Sequence, residues 1–197
     1  LPTLNFYTDV PQKITACWGE HIIDGNVRRK IDNRDFSFEY IAKKGENKYT
    51  NYMLRLGCRF LEVFCEAPIK LDYIGSIPQV YSVEAISKTF TEPLKQKIYD
   101  LCVNTLKLCL MERYVDTPWR EQSFYAFDSR NQMLCGYYAY GETAAPRASL
   151  ELIARSLRED NLLELCSPAR CSITIPAFSA MFVVQLAEYA AFSCDLA

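Results

Sequence analysis

Asp116-Thr117-Pro118-Trp119-Arg120-Glu121, followed by Tyr125 and Asp128, gathers three carboxylates, a guanidinium and two aromatic rings within 13 consecutive positions. A packed core requires none of that charge. Chemistry on sugars requires all of it: a carboxylic acid to protonate a leaving oxygen, further charged groups to hold hydroxyls, and a ring to cover the apolar face of the sugar. Pro118 disfavours a helical Thr117, so 116–121 reads as a connection between helices. Glu121, Tyr125 and Asp128 recur at intervals of four and three, so a helix already under way at Glu121 would project all three from one face. The plainer reading makes Asp116 a helix cap, leaves Arg120 and Glu121 in solvent and buries Trp119 and Tyr125.

The elements that must hold these residues fall into two kinds. From Leu1 to about residue 88 the pattern is that of strands and a linker: Phe36, Phe38 and Tyr40 alternate with polar neighbours, as do Ile69, Leu71 and Tyr73. Asp24-Gly25 between Ile22-Ile23 and Asn26-Val27 is a two-residue hairpin signal. Phe60–Cys65 is apolar on both faces and is expected in the centre of a sheet, and a β-sandwich or part of one follows. From residue 89 the period becomes helical. A first helix is expected from Thr91-Glu92-Pro93 to about Arg113, with Leu94, Ile98, Leu101, Cys102, Thr105, Leu108 and Cys109 on one face. A second is expected from Ser123 to Tyr140, ended by Gly141, a third from near Pro146 and a fourth from near Pro176, with neighbours pairing antiparallel. The run from Ala177 to Phe192 is apolar round its whole circumference and is expected to be walled in on several sides. Such faces standing alone would expose a large patch, so missing neighbours or self-association are expected.

Composition narrows the chemistry. The chain has 197 residues, half of them hydrophobic, and a net charge of -2 with no basic block beyond Val27-Arg28-Arg29-Lys30, which argues against nucleic acid and against an electrostatically held membrane partner. No apolar run has the length of a membrane span. The nine cysteines are odd in number, include no C-x-x-C and accompany no glycosylation sequon, so they are expected to be reduced thiols of a cytoplasmic protein. Cys102 and Cys109, seven apart, suit two small buried hydrophobes, and the 166/171 spacing does not make a zinc site. The sole histidine, His21, lies in the strand half, leaving none in the helical half to activate a Ser or Cys nucleophile. Isolated glycines give no phosphate loop, so neither an organic cofactor nor a metal is expected. The chain opens at Leu1 and stops at Leu196-Ala197 soon after an apolar helical pattern, and is expected to be part of something longer.

On the motif Asp116-Thr117-Pro118-Trp119-Arg120-Glu121, with Tyr125 and Asp128 downstream, the chain resembles the α-L-rhamnosidases of glycoside hydrolase family 78, whose pattern is D-C-P-x-R-E, then an aromatic residue and an Asp. Arg59-Phe60-Leu61-Glu62-Val63 and the Ile69 to Glu84 region also resemble the segment that joins a β-sandwich to an (α/α)6 toroid in that family, and the likeness covers roughly residues 50 to 197. The resemblance implies an α+β architecture, with a β-sandwich portion in 1–88 and the first antiparallel helices of the toroid in 89–197. It also implies Glu121 as general acid, Asp116 and Asp128 as ligands of rhamnose hydroxyls, Arg120 as a ligand-contacting guanidinium and Tyr125 as the aromatic wall. The substrate it implies is a rhamnose-containing glycoside, cleaved with inversion by a general base lying downstream. The other class open to the same residues is a non-catalytic carbohydrate-binding or assembly module using Trp119, Tyr125 and the acids. Thr117 and Tyr125 depart from the family's usual Cys and Trp. Like charges and partial burial would raise the Glu121 pKa and Arg120 would oppose them, a balance residue types do not decide.

Overall fold

The computed structural model describes residues 1–169 and 172–195. Cys171, of the 166/171 spacing, and Leu196-Ala197 lie outside the described residues. The strands are β1 (Pro2–Thr8), β2 (Gln12–Gly19), β3 (Ile22–Ile23), β4 (Asn26–Val27), β5 (Lys30–Ile31), β6 (Arg34–Asp35), β7 (Ser37–Ala42), β8 (Gly45–Thr50), β9 (Phe60–Cys65) and β10 (Ile69–Ser76). The helices are α1 (Pro93–Leu108), α2 (Ala126–Ala139), α3 (Ala144–Ala154) and α4 (Pro176–Ser193). Contacts divide the chain into two units. One is Leu1–Gln79 with Pro118–Arg120, and the other takes Val80–Thr117 and the described residues from Glu121 onward.

The first unit holds two three-stranded antiparallel sheets, ordered β10-β1-β8 and β7-β2-β9. Their inner faces share one core, in which Leu4 and Phe6 of β1 meet Ile14 and Ala16 of β2 and Ala42 of β7. Phe6 meets Tyr40 edge-on at 6.1 Å. This is the sandwich that strand alternation demands, since each sheet has one apolar face to bury. The Asp24-Gly25 hairpin forms as its residues require, with φ of 51° and 80° and Ile23 opposite Asn26. Two expectations are corrected. Phe60–Cys65 is an edge strand, paired only to β2 among the described strands and half-exposed along most of its length. Leu71 and Tyr73 are exposed, because a register irregularity between Asn5 and Phe6 interrupts the β1–β10 pairing.

The three residues Pro118–Arg120 belong to this β unit. Trp119, 7% exposed, packs with Trp18 and Phe36, its ring 5.2 Å from Phe36, and His21 meets it edge-on at 6.1 Å. The Arg120 carbonyl accepts a hydrogen bond from Arg34 Nη1 at 2.8 Å. Gly57 is what lets the strap lie down: a Cβ there would fall within van der Waals overlap of the Pro118 carbonyl group and 2.8 Å from the Trp119 nitrogen.

In the second unit α1 stops at Leu108, five residues before the expected end. The Cys109 N–H bonds back to Thr105 and Leu106, and Leu110 and Tyr114, both buried, bridge to each other in a tight reversal. Burial of Leu110, Met111, Tyr114 and Val115 overrides a helical pattern that local spacing could support. Of the expected α1 face only Cys109 is buried; Leu94, Ile98, Leu101 and Leu108 are exposed, Leu94 by 69%. The α4 helix starts at Pro176 as expected, but Val183, Val184, Leu186 and Phe192 are also exposed, so the expected walls are absent from the described residues. Consecutive pairing is not the dominant contact. The α2 helix packs most extensively on α4, through the core of Phe124, Met133, Tyr137, Leu150 and Ile153 with Phe178, Phe182 and Tyr189 against it.

Gln185, 1% exposed, ties α4 to the start of α2: its Nε2 donates to the Ala126 carbonyl and to Ser129 Oγ, the latter at 3.1 Å. Beside it, Arg130 and Glu188 form a two-pronged ion pair between the same helices. Replacing Gln185 by Leu removes both bonds while the Ala126 carbonyl keeps the Ser129 hydroxyl as donor, and is expected to lower unfolding stability by about 0.5–1.5 kcal/mol. Chemical denaturation of the two proteins measures that difference directly.

Candidate functional site

The loop from Asp116 to Phe124 is built around one carboxylate. Asp116 Oδ1 accepts the Ser123 N–H at 2.8 Å, and the Asp116 N–H donates to the Ser123 carbonyl at 3.0 Å. Gln122 takes a left-handed φ of 49°, which stops a helix from forming through Glu121. The α2 helix therefore starts at Ala126, with Tyr125 as its N-cap residue, three positions later than expected. The expected single helical face is thus corrected: Glu121 is in a turn, Tyr125 is extended and only Asp128 is in the first turn of α2.

The four side chains come together all the same, through the loop. The Glu121 carboxyl lies near enough to Asp116, Tyr125 and Asp128 to help hold each of the three above its ordinary range. All four residues are half-buried. Tyr125 is held from behind by an edge-on contact with Phe178 at 6.2 Å and by a backbone bridge to Cys166. Gln132 Nε2 donates to the Val115 carbonyl at 2.7 Å and fixes the approach to Asp116.

The arrangement favours retention of protons. Burial pushes Asp116 above the ordinary aspartate range, and the Glu121 carboxyl pushes it further, while N–H donors from Ser123 and Thr117 oppose both. Burial also raises Asp128, again with help from Glu121 and against a backbone donor. Carboxyls raised in this way keep their protons to higher pH than free ones do.

For stability the sign is the reverse of the usual aspartate. A raised pKa contributes stability that is complete below the unfolded value of 3.8 and is lost as pH rises through the folded value. Asp128→Asn is therefore expected to stabilise the chain at pH 7 by on the order of 0.5 kcal/mol after solvent screening, with the gain vanishing near pH 3. Thermal melts of both proteins across that range test it, and a gain that grew towards acid pH would contradict the arrangement.

Arg120 is exposed and belongs to the β unit. Trp119 is in the core of that unit and presents no face for a sugar, which corrects its expected part in a carbohydrate-binding site. Sequence reasoning missed Ser123, Phe178 and Gln185. Ser123 and Phe178 carried no local signal, whereas Gln185 was a polar residue in the most apolar helix of the chain. A cavity of about 890 Å³ lies between the 83–93 segment and α1, and none of its lining residues is one of the acids; convergence of side chains, not cavity size, marks the site. Among the described residues no acid, Cys or His cluster could hold a metal, and no helix is long and apolar enough to cross a membrane.

No family model matches this chain, and no curated protein matches it. Solved structures do. A family 78 rhamnosidase from Bacillus sp. GL1 is 28% identical, with a TM-score of 0.84 over 96% of this chain and 20% of that one. A rhamnosidase from Klebsiella oxytoca with rhamnose bound is 18% identical, with a TM-score of 0.69 over 99% of this chain and 42% of that one. An α-L-rhamnosidase from Dictyoglumus thermophilum is 19% identical, with a TM-score of 0.73 over 96% and 22%. The last two show the fold alone. In fold over nearly all its residues this chain is similar to the family 78 α-L-rhamnosidases, and it spans about a fifth of the length of the Bacillus protein.

Proposed function

We propose that this chain supplies the acid half of an inverting α-L-rhamnosidase and spans the end of a β-sandwich and the first helices of an (α/α)6 toroid. Glu121 protonates the leaving glycosidic oxygen, Asp116 and Asp128 hold rhamnose hydroxyls, Arg120 contacts the ligand, and Tyr125 covers the sugar ring. The general base, which activates water across the ring, comes from polypeptide outside these residues. The observation that carries this reading is the meeting of the Glu121 carboxyl with Asp116, Tyr125 and Asp128. A rhamnose-containing glycoside is the substrate, no cofactor takes part, and the setting is cytoplasmic with reduced thiols. The exposed α1 and α4 faces are covered in the assembled enzyme by further helices.

An incomplete catalytic pair is expected to turn over poorly. The purified 197-residue chain should cleave an aryl α-L-rhamnoside weakly or not at all; turnover abolished by Glu121→Gln would refute the division of labour. The second reading is a carbohydrate-binding module without chemistry, which the same gathering of acids beside Tyr125 would serve. A second carboxylate facing Glu121 across the bound sugar, at roughly the 6.5–9.5 Å of inverting enzymes, distinguishes the hydrolase from it.

A further inference from the structure

We propose that the cavity of about 890 Å³ between the 83–93 segment and α1 is a carbohydrate site separate from the acids, and that it takes a neutral pyranose ring. Its volume is in the range of small-ligand pockets. The cavity lies wholly within the helical unit. None of Asp116, Glu121 and Asp128 lines it, so binding here is independent of the hydrolase reading.

The α1 helix presents two different faces. Leu94, Ile98, Leu101 and Leu108 form an exposed apolar stripe, suited to packing against further helices. Gln96, Tyr99, Asp100, Val103, Asn104 and Lys107 follow the same helical spacing on another side and line the cavity, so that this second face is largely polar and is roofed by the chain's own segment. The roof is pinned at two points. The Ile86 N–H donates to the Ala139 carbonyl at 2.7 Å while the Ile86 carbonyl accepts from the Tyr99 phenol at 3.3 Å, and the Phe90 N–H donates to Gln96 Oε1 at 2.9 Å.

The lining has the two parts that a pyranose needs. Rings supply a platform: Phe90, 38% exposed, stands 5.4 Å from Tyr99 with the planes inclined at 53°. The Tyr99 and Tyr140 phenols are tied to the Ile86 and Val103 carbonyls, which fixes both rings. Polar groups supply both senses of hydrogen bond. Asn104 and Lys107, whose side chains have no partner among the described residues, can donate, and the Glu84 and Asp100 carboxylates can accept. Lys88 lies 6.0 Å from the Tyr99 ring centre and 5.9 Å from that of Tyr138, which keeps its ammonium beside the platform. The charges of Glu84, Lys88, Asp100 and Lys107 cancel, which favours a neutral ligand over an anion or a cation. Hydrogen-bonding groups beside the rings favour a polyhydroxylated ligand over an apolar one, because an apolar guest would take their water and return no partner.

The test is an amide NMR titration of the isotope-labelled 197-residue chain with methyl β-D-glucopyranoside, methyl α-L-rhamnopyranoside and methyl β-D-glucuronoside. At least one of the two neutral glycosides should shift amides within 84–107, with a dissociation constant of roughly 1–10 mM, the strength expected of a ligand with few atoms. Phe90→Ala removes the platform but keeps the backbone pin, and should weaken that binding about three- to tenfold. Asn104→Ala, at an exposed helical position, should weaken it as well. No shift within 84–107 with either neutral glycoside, unchanged affinity in both variants, or tighter binding of the charged glucuronoside overturns the proposal. Rhamnoside shifts confined to 116–128 would overturn it while supporting the hydrolase reading, and shifts confined to 84–107 would support it while counting against rhamnose at the acids.

Discussion

Glu121→Gln, placed in a polypeptide that completes the site, should lower kcat for an alkyl α-L-rhamnoside by about 10²–10⁴-fold, the usual contribution of a positioned general acid. The amide keeps the size of the side chain and its contact with Asp116, but has no proton to give to the departing oxygen. Rhamnose binding should survive, since Asp116 and Asp128 hold the hydroxyls in this reading. The loss should also shrink for nitrophenyl rhamnosides, whose leaving groups depart with little help. Parallel kinetics on the two substrate classes make the comparison, and an equal loss on both would point to a damaged pocket in place of a missing acid.

The second large effect comes from a residue with no side chain. Gly57→Ala should destabilise the β unit by about 3 kcal/mol or more, at or beyond the upper end of ordinary overpacking, because the new methyl meets backbone and not a flexible side chain. Pro118 and Trp119 cannot rotate away from it; the strap itself must lift, and with it the Trp119 ring from Trp18 and Phe36. Gly25→Ala serves as the comparison, since its Cβ would meet nothing within 4 Å and only its φ of 80° opposes substitution, at about 1 kcal/mol. Urea unfolding followed by tryptophan fluorescence reads both, and equal losses would mean that the strap is not anchored as described.

Local chemistry explains what could be read from the sequence. Asp24-Gly25 tolerates positive φ and formed its hairpin, Pro176 opened α4 at its first residue, and Gly141, at φ 64°, stands where α2 was expected to stop. The site motif was legible because it depends on residue types packed into one short stretch. Features set by distant partners were not legible. The early end of α1 follows from burial of Leu110 and Tyr114, the late start of α2 from the left-handed Gln122 and the Asp116–Ser123 clamp, and the edge position of β9 from pairing with β2. The convergence of the acids was anticipated by the wrong route. A helix would have aligned them by period, whereas the chain aligns them by a clamped turn, and period alone carries no information about such a turn.

The membership of Pro118–Arg120 in the β unit bears on how the gene can be divided. A helical piece begun at Val80 would retain Trp119 but lose Trp18 and Phe36, turning a sequestered indole outward one peptide bond from Arg120 and two from the proposed acid. Truncation at the apparent boundary would therefore free the strap beside Glu121, and a faithful excision has to carry the strands along.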